Sequence, residues 1–257
     1  MRKKIAAGNW KMNTTLNEGK QLIKTIINSL EKLPPKQSPE EMLVVLGTPF
    51  ITLESAVKLV EPLPQISIAA QNCYAEEKGA FTGEISASMI KSTGAKFVII
   101  GHSERRQYFN ESHSMLARKV DLALKNDLIP IFCCGEKLEI REQNGHFDLV
   151  KQQLTESLFH LSPELFSKVV IAYEPVWAIG TGVTATPGQA REMHKIIRDH
   201  LSGHYGDVIA NNTTILYGGS VNAKNAHELF SQPDVDGGLV GGASLKAEEF
   251  IEIIHSF

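Results

Sequence analysis

Cysteine is scarce in this chain. Three occur in 257 residues, Cys73, Cys133 and Cys134. Two adjacent and one distant thiol make neither a disulfide framework nor a zinc site, and Cys133-Cys134 read as strand residues. No apolar stretch approaches the ~20 residues of a membrane span. The N-terminus, MRKKIAAGNW, is basic but has no long apolar segment behind it, so it does not read as a secretory leader. An excess of positive charge is missing too. The chain carries 26 Lys and Arg against 29 Asp and Glu, a net charge of −3. No global field favours nucleic acid, so an anionic substrate must be held by local groups. Low-complexity tracts, close repeats and composition shifts are absent as well. The expectation is a single domain over residues 1–257 in a reducing cytoplasm, without membrane or nucleic-acid partners.

What is present is alternation. Short apolar runs occur at 5–8, 43–46, 66–70, 97–100, 128–132, 169–173, 214–217 and 238–240. They are β-branched and lack strict alternation, the mark of strands buried on both faces. Amphipathic segments lie between them. Leu16, Leu22, Ile23, Ile26, Ile27 and Leu30 fall mostly at three- and four-residue steps, and Met115 to Leu124 do so less cleanly. Further helices are expected near 52–60, 85–93, 147–160, 187–201, 223–230 and 247–254. Pro34-Pro35 stops the first helix, and 34–41 reads as a solvated loop. Eight strand–helix units in this length predict an α/β fold of (β/α)8 type, a parallel eight-stranded barrel surrounded by helices. An open doubly wound sheet is the alternative. It usually carries a Gly-rich turn after its first strand, where this chain has Asn9-Trp10-Lys11.

In such a barrel, chemistry belongs at the C-terminal strand ends. The first run ends in Asn9 and Lys11, and the lysine is either an anion holder or a solvated loop residue. The third run opens a long connection, residues 71–84, that is either a flexible excursion or a loop seeking a partner. The fourth ends in Gly101-His102-Ser103-Glu104-Arg105. A histidine two residues past a barrel strand suits proton or hydrogen-bond chemistry, whereas His113, His160, His194 and His227 read as surface or packing residues. Glu136, after the fifth run, reads first as the cap of a following helix and second as support for the site. The seventh and eighth runs end in Gly218-Gly219-Ser220 and Gly241-Gly242. Two glycine turns at these strand ends read together as a phosphate cup of backbone N–H groups.

The sixth run leads into residues 173–182, YEPVWAIGTG. Glu174 closes a buried strand and Pro175 prevents its continuation. Val176-Trp177-Ala178-Ile179 form an apolar tip, and Gly180-Thr181-Gly182 end it. The pattern reads as a base beneath a water-excluding lid.

The segments GNWKMN (8–13), AFTGE (80–84), GHSERR (101–106), CGE (134–136), YEPVWAIGTG (173–182), YGGSV (217–221) and GLVGGASL (238–245) resemble triosephosphate isomerase, in that family's order and over about residues 5–255. The resemblance implies a TIM barrel that interconverts dihydroxyacetone phosphate and D-glyceraldehyde 3-phosphate without cofactor or metal, in glycolysis and gluconeogenesis. It implies Glu174 as base, His102 as electrophile and Lys11 as the positive charge on the substrate, with Asn9 beside it. It implies Ser103 and Glu104 as supporting residues, and Gly180, Ser220, Gly241 and Gly242 as phosphate contacts. Thr82 would sit at the tip of an interdigitating loop of a homodimer, with Glu84 and Arg105 as a charged pair there.

Two departures are visible. Val183 follows the lid where the family often has lysine, and Ala7 stands where a glycine commonly precedes Gly8. Two rival readings share the fold: a Schiff-base aldolase with Lys11 as nucleophile, and a silent sugar-phosphate binder.

Overall fold

A computed structural model describes residues 2–32, 38, 41–180 and 184–257. Eight parallel strands close on themselves in sequence order: β1 (Lys4–Asn9), β2 (Met42–Thr48), β3 (Ile66–Ala70), β4 (Phe97–Ile100), β5 (Ile129–Cys134), β6 (Val170–Tyr173), β7 (Ile215–Tyr217) and β8 (Gly237–Val240), with β8 paired to β1. The barrel replaces the open-sheet alternative. Around it run α1 (Leu16–Lys32), α2 (Phe50–Val60), α3 (Ala87–Ser92), α4 (Ser103–Tyr108), α5 (His113–Lys125), α6 (Leu138–Glu142), α7 (His146–Leu158), α8 (Pro163–Phe166), α9 (Pro187–Tyr205), α10 (Asp207–Asn212), α11 (Ala226–Phe230) and α12 (Ala247–Ile254).

The strands are apolar throughout because both faces are covered. Ile5, Ala7, Leu43, Val45, Ala69, Phe97, Ile99, Ile131, Cys133, Ala172 and Leu216 fill the barrel interior. The alternate residues, Ala6, Val44, Ile68, Val98, Phe132 and Ile171 among them, pack under the helices. Cys133 and Cys134 divide between these two layers, as strand neighbours must. Burial pushes both thiols well above their ordinary pKa.

Long helices match their expected spans closely, while four short ones, α4, α6, α8 and α10, were not foreseen. Helices of four to six residues carry too few turns to show a period. They depend on local caps and tertiary support. Ser162 caps α8 through its side chain, with Pro163 following. The expected helix at 223–230 forms only from Ala226. Before it, the Asn222 side chain accepts the Lys224 and Asn225 N–H groups, a local bond that competes with a helical start. Pro34-Pro35 and most of the 34–41 loop lie outside the described residues. Among the described residues no helix is long and apolar enough to cross a membrane.

Candidate active site

A cleft of about 340 Å³ opens at the C-terminal strand ends. Its wall gathers Asn9 at the end of β1 and Lys11 after it, His102 after β4, Ile179 and Gly180 after β6, Gly218 to Asn222 after β7, and Gly241 to Ala243 after β8. Residues remote in sequence meet there because parallel strands all end on one face.

Asn9 is buried, and its Oδ1 accepts the Lys11 N–H at 3.1 Å. Lys11 has φ +54, the left-handed region that a non-glycine residue occupies only when its surroundings hold it there. Gln71 helps by donating from Nε2 to the Lys11 carbonyl at 2.9 Å. Lys11 Nζ is fixed to Glu104 Oε1 at 2.6 Å. It lies past the end of β1 and is engaged by a carboxylate, so nothing presents it as the free amine of a Schiff-base enzyme.

His102 is buried. Its Nδ1 accepts the Glu104 N–H at 3.3 Å, which leaves the ring proton of the neutral form on Nε2. Nε2 stands 2.9 Å from Glu174 Oε1. Burial lowers the His102 pKa. The Glu174 carboxylate, aided by Glu104, raises it more, and the net direction is upward.

Glu174 is 1% exposed, and its Oε2 accepts the Ser103 N–H at 2.9 Å. Glu174 is not among the residues that line the cleft. It lines instead a separate cavity of about 210 Å³ beside Arg106, Gly135, Gln153 and Val176. Its backbone N–H donates to Cys134 O at 2.7 Å, which seats the residue against the end of β5.

The segment read as a lid opens at the end of β6. Pro175 ends β6 with φ −66, Val176–Ala178 form one 3-10 turn, and Gly180 takes φ +69. Thr181, Gly182 and Val183 lie outside the described residues. Glu136, expected first as a helix cap, is not one, because α6 starts two residues later without a side-chain cap bond. It is a fully buried acceptor under the lid. One oxygen, Oε1, accepts from Tyr173 OH at 3.0 Å, Trp177 Nε1 at 2.9 Å and Arg141 Nη1 at 3.0 Å. The Arg141 guanidinium also lies over the Trp177 ring, 5.2 Å from its centroid. The cap reading failed because two of these donors, Tyr173 and Trp177, come from residues far along the chain.

The two glycine turns follow neighbouring strands and both border the cleft. Gly218 N–H donates to Tyr173 O at 2.7 Å. Gly242 opens a short 3-10 helix, Gly242–Leu245, and Ser244 Oγ donates to Gly241 O at 2.7 Å. Ser220 lines the cleft between them. Ser103 and Glu104 stand behind the cleft, bonded to Glu174 and Lys11. Two charged lining residues lie outside the sequence expectation, Lys246 and Glu249 at the start of α12. Their signal was available only in part, as a charged pair just beyond the second glycine turn.

Thr82 and Glu84 take no part in this cleft's wall and lie on an exposed stretch of the 71–84 connection. Phe81 packs against Tyr74 at 4.8 Å between centroids. Within the chain, the ion-pair partner of Arg105 is Glu111, at 2.6 Å. Among the described residues no cluster of His, Cys, Asp and Glu is arranged to hold a metal.

The closed parallel barrel, with an acid, an imidazole and a lysine at separate strand ends and two glycine turns at two further ones, defines a barrel enzyme built for a small anionic substrate. The family model described as triosephosphate isomerase matches residues 4–257. Triosephosphate isomerases of Cytophaga hutchinsonii and Porphyromonas gingivalis are each 54% identical over 257 residues, spanning all of both chains. That of Flavobacterium johnsoniae is 48% identical over 254 residues, 99% of each chain. The chain belongs to the triosephosphate isomerase family.

Proposed function

We propose that this isomerase interconverts dihydroxyacetone phosphate and D-glyceraldehyde 3-phosphate through an enediol or enediolate, with Glu174 as base and His102 as electrophile. The observation that carries the reading is convergence. Asn9, Lys11, His102 and both glycine turns line one cleft, and Glu174 is held at its edge by His102 and Ser103.

The chemistry requires a base for a carbon-bound proton and a donor at the carbonyl oxygen. Glu174 must first leave its seat, since both carboxylate oxygens are engaged there, one by His102 Nε2 and one by the Ser103 N–H. Its departure removes the charge that raises the His102 pKa. Burial then favours neutral imidazole, whose Nε2–H is free to donate to the substrate oxygen. Lys11 contributes fixed positive charge, and backbone N–H groups at Gly180, Ser220, Gly241 and Gly242 take the phosphate. The phosphate makes and breaks no bonds, so its binding energy is available to close residues 175–182 over the site. Closure excludes water and keeps the enediolate from eliminating phosphate.

A coupled assay on wild type and Glu174→Ala tests this reading. A base of this kind contributes about 10²- to 10⁴-fold. Near wild-type turnover by the variant would remove Glu174 from the role.

The reading extends to assembly and setting. The chain acts as one barrel domain of 1–257 and as a homodimer through the 71–84 loop, with Thr82 at its tip and Glu84 and Arg105 at the interface. Supporting this, Met12, Phe81, Tyr108 and Phe109 are large apolar side chains left exposed on the segments after β1, β3 and β4. The enzyme works in the cytoplasm on triose phosphates, with no cofactor, membrane or nucleic acid. Sedimentation at decreasing concentration, read alongside activity, checks the dimer. A fully active monomer contradicts it.

A further inference from the structure

Lys11 and Lys246 are the only Lys or Arg side chains lining the cleft among the described residues. They differ in how their charge is held. Lys11 Nζ is bound at 2.6 Å to Glu104, a residue outside the cleft wall. Lys246 Nζ reaches Glu249 Oε2 only at 3.5 Å, and its side chain is 76% exposed. Glu249 itself lines the cleft. The backbone of Lys246 is nonetheless fixed. Its N–H donates to Ala243 O at 3.3 Å and its carbonyl accepts the Phe250 N–H at 2.9 Å. The side chain therefore springs from a rigid point just past the Gly241–Gly242 turn, with its ammonium free to sweep the cleft mouth.

We propose that Lys246 is the cation that steers the substrate phosphate into the cleft, and that Glu249 attenuates it. The inference rests on the isomerase reading above. The protein as a whole has a net charge of −3 and offers an approaching dianion no general attraction, so a local exposed cation governs the encounter. A long, exposed ammonium paired loosely to one carboxylate can exchange that partner for a phosphate at little cost. Lys11, held tightly, suits the bound state instead. The i, i+3 spacing of Lys246 and Glu249 keeps the carboxylate close enough to weaken the field without closing the mouth.

Steering changes association and its salt dependence, and leaves the chemical step alone. The test measures kcat and KM for D-glyceraldehyde 3-phosphate on wild type, Lys246→Gln and Glu249→Gln, at ionic strengths of about 0.01 M and about 1 M, where the Debye length is ~30 Å and ~3 Å. At low salt, kcat/KM falls roughly threefold to fivefold in Lys246→Gln, the size expected for one charge acting on a dianion at about 10 Å in water. It rises in Glu249→Gln. Both differences disappear at high salt, and phosphate-free glyceraldehyde shows no salt-dependent difference among the three proteins. The opposite signs of the two variants guard against a loss caused by poor folding. A salt-independent loss, a fall in kcat rather than kcat/KM, or no change in either variant overturns the steering role while the isomerase reading stands. A wild type without turnover overturns both.

Discussion

Gly135 packs so closely under Glu174 that a Cβ built on it would lie 1.7 Å from the Glu174 carbonyl oxygen. The glycine is held in turn by Gln153, which accepts its N–H at 2.8 Å and donates to its carbonyl at 2.9 Å. Gly135→Ala must therefore push the Glu174 backbone off its seat. A displacement of about 1 Å at a reacting group costs on the order of 10²-fold in rate. Steady-state assay of the variant should show that loss mainly in kcat, and an unchanged kcat would mean the Glu174 backbone tolerates the shift.

The contact between His102 and Glu174 carries a titration prediction. Burial alone lowers the His102 pKa, and the Glu174 charge is what lifts it above the ordinary value. Glu174→Gln removes that charge and leaves burial in place. Histidine titration by NMR should give a lower His102 pKa in the variant than in wild type. An equal or higher value would place the source of the shift elsewhere.

Glu136 supports three donors with one oxygen. Glu136→Ala leaves the Tyr173 hydroxyl, the Trp177 indole and the Arg141 guanidinium without their carboxylate partner. Such a loss costs about 2–4 kcal/mol in urea unfolding. Glu136→Gln keeps an acceptor in place and should lose less. Trp177 is one of two tryptophans, and Trp10 is buried. A change in tryptophan emission on Glu136→Ala would therefore report release of the lid, and unchanged emission would argue that Trp177 is held by other contacts.

His194, fully buried on α9, sets an acid limit. Burial lowers its pKa from 6.5 to about 4. The unfolded chain binds the proton near 6.5 and the folded chain resists it, so the unfolded state holds more protons in between. The linked stability is intact above pH 6.5 and is lost as pH falls from there to about 4, by about 3 kcal/mol in total. His194→Gln should flatten the stability profile in that window. An equally steep profile would assign the acid loss to other groups.

The barrel was legible in the chain because its strands are buried on both faces. Eight continuous apolar runs alternating with helical periods fit a closed parallel barrel, and the missing Gly-rich turn after the first run weighed against an open doubly wound sheet. Glu174 and His102 were legible because each closes such a run, and strand ends are where a barrel exposes side chains. The glycine turns after β7 and β8 were legible through their position as a pair. The donors that converge on Glu136 and the place of Lys246 at the cleft were not. A carboxylate two residues past a strand looks like a cap until Tyr173, Trp177 and Arg141 are seen to converge on it. A lysine at a helix start looks solvated until it borders the cleft.

The sequence by itself determined the order of elements and the residues at each strand end, since burial period and turn chemistry are local properties. Tertiary structure alone decided which groups hold the Glu174 carboxylate. The closure of β8 onto β1, the shared oxygen of Glu136 and the packing of Gly135 depend on distances between segments far apart in the chain. So does the seat that holds the Glu174 carboxylate against His102 and Ser103.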